Sequence, residues 1–382
     1  MVQHLSLGGA TLMAMLLAER LDRRRYDVML AAGPHAGAEG DLSGEMRQRG
    51  IKLVTVSHLR RSPHPWHDAR AVLALRSLLR RERPHIVHTH GSKPKLLLPW
   101  AARLAPVPVK VAHIWGWEWQ PAPGPITRAL FTAASRLGTG SYDALVACSE
   151  AMRRQGIERR VGRPDQYQVI LPPVDLEAFT PEGREQAREE VRQELGIAPD
   201  AYVVASVTRL GPQKAPLDLV RAAALVIAQR PDARFLVVGG GPLERAVTSE
   251  IAAHGLGDKV LLLGPRRDVP TVLTASDLFA LSSAWEPFGI VYLEAAAVGL
   301  PSVGTRVDGV PEAVEDGATG ILVQPGDPGA LAQAILSIAD DPELAQQMGH
   351  AGRRRAGQFG TQRFVAAVDD LYQRLLARRH IT

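Results

Sequence analysis

Short apolar runs alternate with amphipathic helical patterns along both halves of the chain. Stretches such as DARAVLALRSLLRRERP, with a helical repeat of apolar positions, separate several of the runs. Strands that are apolar throughout and alternate with helices are typical of parallel sheets built from βαβ units. The pattern predicts an α/β fold with two such sheets. The predicted strands are VQHLS, YDVMLAA, IKLVTV, HIVHTH, VKVAHI, ALVACS and YQVIL in the first half, and YVVASV, RFLVVGG, KVLLLG, LFALSS, PSVGT and GILVQ in the second.

The proline- and charge-rich stretch PPVDLEAFTPEGREQ separates the halves, so we expect the hinge near residues 172–185. A chain of 382 residues has room for two domains. We predict an N-terminal domain over 1–178, a C-terminal domain over 179–360 and a final amphipathic helix within 361–382. Open parallel sheets bind ligands beyond the carboxyl ends of their strands. Two such domains facing each other would therefore form a cleft lined by strand-end loops.

Composition narrows the class of protein. The chain has no run of eighteen apolar residues, and MVQHLSLGGA at its start lacks the basic and apolar regions of a signal peptide. We therefore expect a cytoplasmic protein. The one cysteine, Cys148, lies in an apolar strand pattern and is expected to fill the core, since a single thiol forms neither an internal disulfide nor a thiolate metal cluster.

The net charge of +5 conceals an asymmetry between the halves. Residues 1–180 carry 25 lysines and arginines against 15 acidic residues, a net of +10, and the remainder carries 20 against 25, a net of −5. An anionic partner, such as a lipid surface or a phosphorylated acceptor, would favour the first half. An arginine-rich solvated surface would give the same composition. The basic first half is thus compatible with peripheral contact at the inner face of a membrane.

The stretch AWEPFGIVYLEAA places Glu286 and Glu294 around the predicted start of a helix. The first amides of a helix lack internal partners and attract anions, and Gly289 lets the backbone come close to a ligand. A glutamate within an otherwise apolar helix needs a partner. Two carboxylates beside an anion site suit a ligand with hydroxyl groups at both ends of a diphosphate, as in a nucleotide sugar. The alternative is that both glutamates are solvated surface residues.

Two cations follow the strand YVVASV in VTRLGPQKAPLDLVRAA. Arg209 can hold phosphate oxygens by two hydrogen bonds, and Lys214 adds a compact charge. The pair could neutralise a leaving diphosphate without a metal ion, or it could be ordinary surface decoration. No Asp-x-Asp flanked by apolar strand residues occurs, so a carboxylate-bound divalent cation is not indicated.

Two glycine-rich segments also follow predicted strands. In LSLGGATLMAM, Gly8 and Gly9 could let backbone amides approach phosphates. The segment LVVGGGPLERAV is not a dinucleotide fingerprint, because Glu244 occupies the position of its third glycine. A dehydrogenase is therefore not expected.

Several motifs together resemble the retaining glycosyltransferases of the GT-B fold, of the family-four type with a Glu-x7-Glu motif. They are LGGA, RLGPQK, VVGGGPL, DVPTVLTASDLFALSS, EPFGIVYLEA and GVPEAVEDGATGILVQPGD. The resemblance implies two Rossmann-like domains facing across a cleft, the first binding the acceptor and the second a nucleotide-sugar donor. It also implies that the final helix crosses back to the first domain.

The same resemblance implies roles for individual residues. Glu294 would bind the ribose hydroxyls, Glu286 the transferred sugar, and Arg209 with Lys214 the diphosphate. Catalysis would need no cofactor or metal, and the acceptor would be a sugar, a lipid-linked molecule or a small molecule with a hydroxyl group; no nucleic-acid partner is expected. Further donor contacts would come from Gly8 and Gly9, from Val269 toward the base, and from the main chain at Phe288, Gly289, Ile290 and Val291.

Departures from the family concern the first domain. Many relatives have a His-Gly pair after the strand VKVAHI, but here Trp115 precedes Gly116 and His113 lies two places earlier. Tryptophans 115, 117 and 119 could stack on sugar or acceptor rings or brace the core. We expect tentative acceptor or sugar contacts rather than a metal site, whose further ligands are missing from HTHGSKPK. The residues concerned are His90, Lys93, His113, Trp115 and Trp117, with His88 beside them.

Two other functions stay open from the sequence. The same fold could belong to a nucleotide-sugar epimerase or hydrolase, in which case the donor alone would be converted. It could also belong to a sugar-nucleotide sensor or scaffold without turnover, and Trp115 in place of the usual histidine makes that alternative relevant.

Overall fold

The computed structural model describes residues 1–5, 8–34, 41–60, 62, 64–122, 124–179 and 184–381. The chain divides into two compact units, one formed by Met1–Pro172 with Gln362–Thr382 and the other by Pro173–Thr361. The division lies at the start of the proline-rich stretch in which we expect the hinge.

Helices and strands alternate along the first unit. In chain order its elements are α1 (Gly9–Arg20), β1 (Met29–Ala32), α2 (Ser43–Gln48), β2 (Lys52–Thr55), α3 (Pro65–Glu82), β3 (Ile86–His90), α4 (Ser92–Leu104), β4 (Val109–Ile114), α5 (Gly124–Thr139), β5 (Ala144–Ala147), α6 (Glu150–Glu158) and β6 (Tyr167–Val169).

The second unit continues the same alternation. Its elements are α7 (Arg184–Glu194), β7 (Val203–Val207), α8 (Pro216–Gln229), β8 (Arg234–Val238), α9 (Glu244–Ala253), β9 (Val260–Gly264), α10 (Val269–Thr274), β10 (Leu278–Ala280), α11 (Ile290–Ala297), β11 (Ser302–Thr305), α12 (Val310–Ala313), β12 (Gly320–Val323), α13 (Pro328–Ala339) and α14 (Pro342–Ala356); the last helix, α15, is Thr361–Ala377.

The first unit holds a four-stranded parallel sheet, β3-β4-β5-β6, and a parallel pair, β1-β2. The predicted first strand, VQHLS, is wrong for the described residues. There Val2 forms an isolated parallel bridge with His90, and Ser6 lies outside the described residues. Hydrogen bonds to β1 and β3 are made by residues 1–3, such as the Val2 amide to the Ala31 carbonyl at 2.9 Å. The paired stretch is therefore too short for a regular strand.

The second unit holds one six-stranded parallel sheet in the order β12-β11-β10-β7-β8-β9. Its strands are apolar throughout because helices cover both faces. On β7, Val203 packs in a cluster with Leu236, while its neighbour Val204 packs in another with Phe235. This two-sided burial explains why the sequence shows continuous apolar runs rather than alternation.

The amphipathic tail forms α15, as its pattern predicts. Phe364 and Leu371 pack in one cluster with Val109 and Val111 of β4, so the helix covers the sheet of the first unit. Cys148 is buried at the end of β5, as expected for a core residue. Among the helices described, none combines the length and apolar character needed to cross a bilayer.

Candidate functional site

The sheet order of the second unit creates a switch point between β7 and β10. The chain leaves β7 for β8 on one side, whereas β10, its neighbour on the other side, continues to β11. Loops diverge at such a point and leave a crevice beyond the carboxyl ends of the strands, where ligands bind in open α/β sheets. Lys214 lies in the loop after β7 and Glu286 in the loop after β10, so the topology brings these two predicted residues together.

Lys214 and Glu286 form an ion pair at this switch point. The Lys214 ammonium donates to Glu286 Oε2, and the side chains are 15% and 10% exposed. The Ser283 hydroxyl donates to the same Oε2 at 3.4 Å. Both side chains keep a small exposed area, so a ligand can reach the pair from solvent. An anion that competes for Lys214 would release the Glu286 carboxylate.

Backbone hydrogen bonds hold the two loops together. The Ala284 amide donates to the Gln213 carbonyl at 2.8 Å, and the Ser282 hydroxyl lies 3.0 Å from the Lys214 carbonyl. The Glu286 amide donates to Asp308 Oδ2 at 3.0 Å. The ion pair therefore rests on a fixed frame, and little ordering remains for a ligand to impose.

Helix α11 begins in the loop that carries Glu286. Gly289 caps it in the left-handed region, at φ 92°, and a Cβ there would lie 2.7 Å from the Tyr292 ring. Only glycine suits both conditions. Phe288 is buried and its ring lies 5.7 Å from that of Phe359, so its side chain packs in the core of the second unit. The amino end of α11, at Ile290 and Val291, supplies the positive end of a helix dipole.

Glu294 lies in the second turn of α11, between buried residues. Burial raises the pKa of its carboxyl to about 7. In the described part of the chain, no protein group donates a hydrogen bond to this carboxylate. A partly buried carboxylate without a protein donor is suited to accept hydroxyl groups from a ligand.

Arg209 is exposed in the loop after β7, and that loop packs on the glycines after β8. A Cβ on Gly239 would lie 1.9 Å from the Thr208 carbonyl oxygen, and one on Gly241 would lie 2.4 Å from the Leu210 carbonyl oxygen. The glycines of VVGGGPL thus allow two strand-end loops to touch. This packing explains the motif without a dinucleotide.

The other predicted donor residues are placed as follows. Val269 is the first residue of α10 and packs partly against the cluster around Val203 and Val272. Gly8 and Gly9 are exposed at the start of α1, and among the described residues outside their own helix turn no atom lies within 4 Å of a Cβ built on either. Their backbone is therefore open to close approach.

Three histidines of the first unit form a buried stack. The rings of His88 and His113 lie 5.4 Å apart and within 8° of parallel, and those of His90 and His113 lie 5.2 Å apart at an angle of 28°. His88 Nδ1 is 2.6 Å from the Tyr372 hydroxyl, and the Trp115 indole N–H donates to His90 Nδ1 at 3.3 Å. Burial lowers the pKa of His113 to about 3. The stack is therefore uncharged at neutral pH.

This stack does not make a good metal centre. The nearest ring nitrogens of His88, His90 and His113 lie within 4.8 Å of one another. However, one nitrogen of His88 and one of His90 already face the Tyr372 hydroxyl and the Trp115 indole, and no further cysteine or carboxylate joins the group among the described residues. His88 and His90 also line a cavity of about 610 Å³ that extends past Tyr372 to Leu376 within the first unit.

The residues predicted as acceptor contacts in the first unit differ in their surroundings. Trp117 is buried, with Trp119 stacked 4.5 Å away and its indole N–H bonded to the Met152 carbonyl, so it braces the core. The Lys93 ammonium is 2.6 Å from Asp68 Oδ1 and 2.6 Å from the Ser62 carbonyl. His113 is fully buried. Trp115 and His90 remain at the edge of the stack, and Trp115 is partly exposed.

Sequence reasoning missed two supporting features. Asp308, which fixes the Glu286 backbone, lies in VDGVPEA after β11, and its place after a strand was the available signal. In the first unit, Lys95 and Glu118 form a buried ion pair at 2.7 Å, and Ser135 donates to Glu118 at 2.9 Å. The only signal for that pair was a charge inside each of two otherwise apolar or aromatic segments.

Two family models match the chain. The model for Glycosyltransferase Family 4 matches residues 7–178, and the model for Glycosyl transferases group 1 matches residues 187–355. The matches correspond closely to the two halves described above.

The chain is also similar to individual glycosyltransferases. The chain is 30% identical over 309 residues to UDP-Gal:alpha-D-GlcNAc-diphosphoundecaprenol alpha-1,3-galactosyltransferase of Escherichia coli, covering 80% of this chain and 79% of that protein. It is 36% identical over 248 residues to D-inositol 3-phosphate glycosyltransferase of Salinispora arenicola (strain CNS-205), covering 62% of this chain and 55% of the relative. The crystal structure of HepE from Anabaena in complex with UDP has a TM-score of 0.81 and 25% identity, covering 97% of this chain and 98% of HepE.

Proposed function

The chain belongs to the group 1 glycosyltransferases and has the GT-B fold of its structural neighbours, and from this premise we propose a specific reaction. The protein transfers a sugar from a nucleotide diphosphate sugar to a hydroxyl group, with the anomeric configuration retained and without a metal ion. The observation that carries the proposal is the Lys214–Glu286 pair at the switch point of the second unit, beside the start of α11.

Donor binding exchanges the partners of this ion pair. A diphosphate is doubly charged and offers Lys214 more hydrogen-bond acceptors than one carboxylate does. It displaces Glu286, whose freed carboxylate then accepts hydroxyl groups of the sugar. Arg209 follows β7 in the same loop and adds a second cation for the diphosphate. Glu294 accepts the ribose hydroxyls from α11.

The chemical step breaks the bond between the anomeric carbon and the phosphate oxygen and forms one between that carbon and the acceptor oxygen. Retention follows if the acceptor attacks the face from which the diphosphate leaves. The departing phosphate oxygen takes the acceptor's proton. The side chains named here act through position and charge: Lys214 and Arg209 stabilise the negative charge that develops on the leaving group.

The names of relatives support a choice of substrates to test. The Escherichia coli relative is named for UDP-Gal, and HepE was crystallised with UDP. The acceptors in the two relatives' names, a sugar diphosphoundecaprenol and inositol 3-phosphate, both carry phosphate. The first half of the chain, with its net charge of +10, suits such an acceptor. We infer a UDP-sugar donor and a phosphorylated acceptor, with lipid-linked acceptors included.

A donor-by-acceptor assay tests the proposal. The purified protein is incubated with a panel of UDP-sugars, with and without phosphorylated acceptors and with EDTA, and UDP release is measured. We expect release to depend on acceptor and to persist in EDTA, and the product's anomeric proton to show retention by NMR. Equal turnover of donor without acceptor would indicate a hydrolase or epimerase. Donor binding without transfer to any acceptor would indicate a sensor.

Lysine variants localise the activity. Lys214→Ala should abolish most turnover, whereas Lys259→Ala, which lies before β9 at the opposite end of the strands, should not. Full activity of the Lys214→Ala protein would contradict the assigned site.

A further inference from the structure

Helix α5 of the first unit has its apolar face turned outward. Ile126, Leu130 and Leu137 are 77%, 65% and 79% exposed, and their spacing places them on one side of the helix. The opposite side, which faces the unit, is small and polar: its buried residues are Thr132, Ser135, Gly138 and Thr139. An ordinary surface helix has the reverse arrangement. The apolar side of α5 therefore contributes nothing to the core.

The neighbouring helix extends this surface. Helix α4 packs against α5, and Leu96 comes so close to Gly138 that a Cβ there would lie 3.2 Å from its side chain. Trp100 and Leu104, one turn apart near the end of α4, are each about half exposed. We call these five residues, Ile126, Leu130, Leu137, Trp100 and Leu104, the α4–α5 outer face.

The charges on the two helices have one sign. Neither α4 nor α5 contains an acidic residue. Lys93 and Lys95 are buried in ion pairs with acidic residues outside the two helices. Arg103, Arg128 and Arg136 are exposed, and the Arg103 guanidinium lies 4.7 Å from the Trp100 ring. Arg128 and Arg136 border the face and donate to the Ala122 and Arg159 carbonyls. The outer face thus combines apolar side chains with Arg103 and with no acidic residue on either helix.

We propose that the α4–α5 outer face docks the first unit on the headgroup region of an anionic lipid bilayer. Helices that lie in a membrane interface present leucine, isoleucine and tryptophan to the acyl chains and arginine to the phosphates. A second copy of the chain is a poorer occupant, because a two-fold contact would bring together two faces that carry arginine and no acidic residue. The inference rests on this surface alone and does not depend on the proposed reaction.

Vesicle binding of the full chain tests the proposal without any substrate. Sedimentation is measured with vesicles of phosphatidylglycerol and phosphatidylcholine, and with phosphatidylcholine alone. We expect binding to the anionic vesicles, weaker binding to the neutral ones, and a decrease when salt is raised from about 0.1 M to about 0.5 M. No binding to anionic vesicles at the lower salt would overturn the proposal.

Matched variants locate the surface. The triple variant Ile126→Gln, Leu130→Gln and Leu137→Gln should bind anionic vesicles more than about tenfold more weakly. These side chains are exposed, so folding should be unchanged, as circular dichroism can verify. The control is Leu225→Gln, an exposed leucine of the second unit, which should bind like the natural chain. Equal binding by the triple variant would assign the membrane contact elsewhere and refute the α4–α5 outer face.

Two further measurements separate insertion from other contacts. Lipids brominated on the acyl chain should quench tryptophan fluorescence, and most of that quenching should disappear in Trp100→Phe. Unchanged quenching in that variant would contradict insertion of the outer face. A concentration-dependent dimer that the triple variant abolishes, with no vesicle binding, would instead identify a second copy as the occupant.

Discussion

Each unit contains one lysine–glutamate pair that is largely removed from water, and the two pairs differ in what surrounds them. Lys95 and Glu118 in the first unit are 2% and 6% exposed, receive a hydrogen bond from Ser135, and have the Trp117 ring 4.9 Å from the ammonium. Lys214 and Glu286 in the second unit lie in strand-end loops at a switch point and stay partly open to solvent. A closed pair stabilises the fold, whereas an open pair can exchange one partner for a ligand.

The largest effect should come from breaking the closed pair. Lys95→Ala leaves the Glu118 carboxylate buried without its cation, which should lower the free energy of unfolding of the first unit by about 3–5 kcal/mol. Denaturant unfolding by circular dichroism measures the loss. The double variant Lys95→Met with Glu118→Leu should recover most of it. A loss below about 1 kcal/mol in the single variant would mean that the pair is solvated.

Breaking the open pair, Lys214 with Glu286, should reduce activity more than stability. Lys214→Ala should reduce turnover by about 10²- to 10³-fold, as expected when a charged contact to the leaving group is lost. It should lower the free energy of unfolding by less than Lys95→Ala does, because Lys214 and Glu286 are more exposed than Lys95 and Glu118. Steady-state kinetics and denaturant unfolding on the same preparation check both parts. Strong destabilisation with unchanged turnover would make this pair as structural as the first one.

Glu294 is a second group of the second unit that suits a ligand better than the fold. Its raised carboxyl pKa is unfavourable to folding at neutral pH. Between the unfolded value near 4.5 and the folded value near 7, the folded state binds more protons than the unfolded state. The contribution of Glu294 to the free energy of unfolding is thus fully present below pH 4.5 and lost as pH rises through 7.

Glu294→Gln removes that loss. At pH 8 the variant should be more stable than the natural chain by about 2 kcal/mol, while its affinity for the donor falls because an amide accepts ribose hydroxyls less well. Thermal unfolding across pH 5 to 8 with and without UDP measures both effects. A variant that is less stable at pH 8 would show that the carboxylate is already well paired.

The smallest effect should come from the support beneath Glu286. Asp308→Ala removes the acceptor for the Glu286 amide and should lower turnover by about fivefold, near 1 kcal/mol. Asp308→Asn keeps an acceptor oxygen and should restore most of the activity. Equal activity of all three proteins would show that the Glu286 loop holds its position without this bond.

The sequence predicts most strands of the larger sheets well, because central strands such as β5 and β7 are buried on both faces and therefore largely apolar. It also identifies the switch-point residues, since strand-end loops bear most of the polar chemistry in this fold. It does not reveal that Lys95 meets Glu118 or that His113 is sealed in a stack, because those contacts join segments far apart in the chain. The orientation of α5 could not be predicted either. An amphipathic pattern shows that a helix has an apolar and a polar side, but it does not show which side faces the core.

The buried histidine stack makes the first unit less stable at acid pH. Imidazoles whose pKa values burial has lowered must take up protons on unfolding, so their contribution to stability disappears as pH falls from about 6.5 toward 3. A single charge introduced into the stack would repel the next, and Tyr372 of α15 is bonded to its first ring. Mild acid should therefore loosen the attachment of the terminal helix before it harms the six-stranded sheet. Because Glu294 lowers stability as pH rises through 7, storage or purification of this enzyme belongs near neutrality.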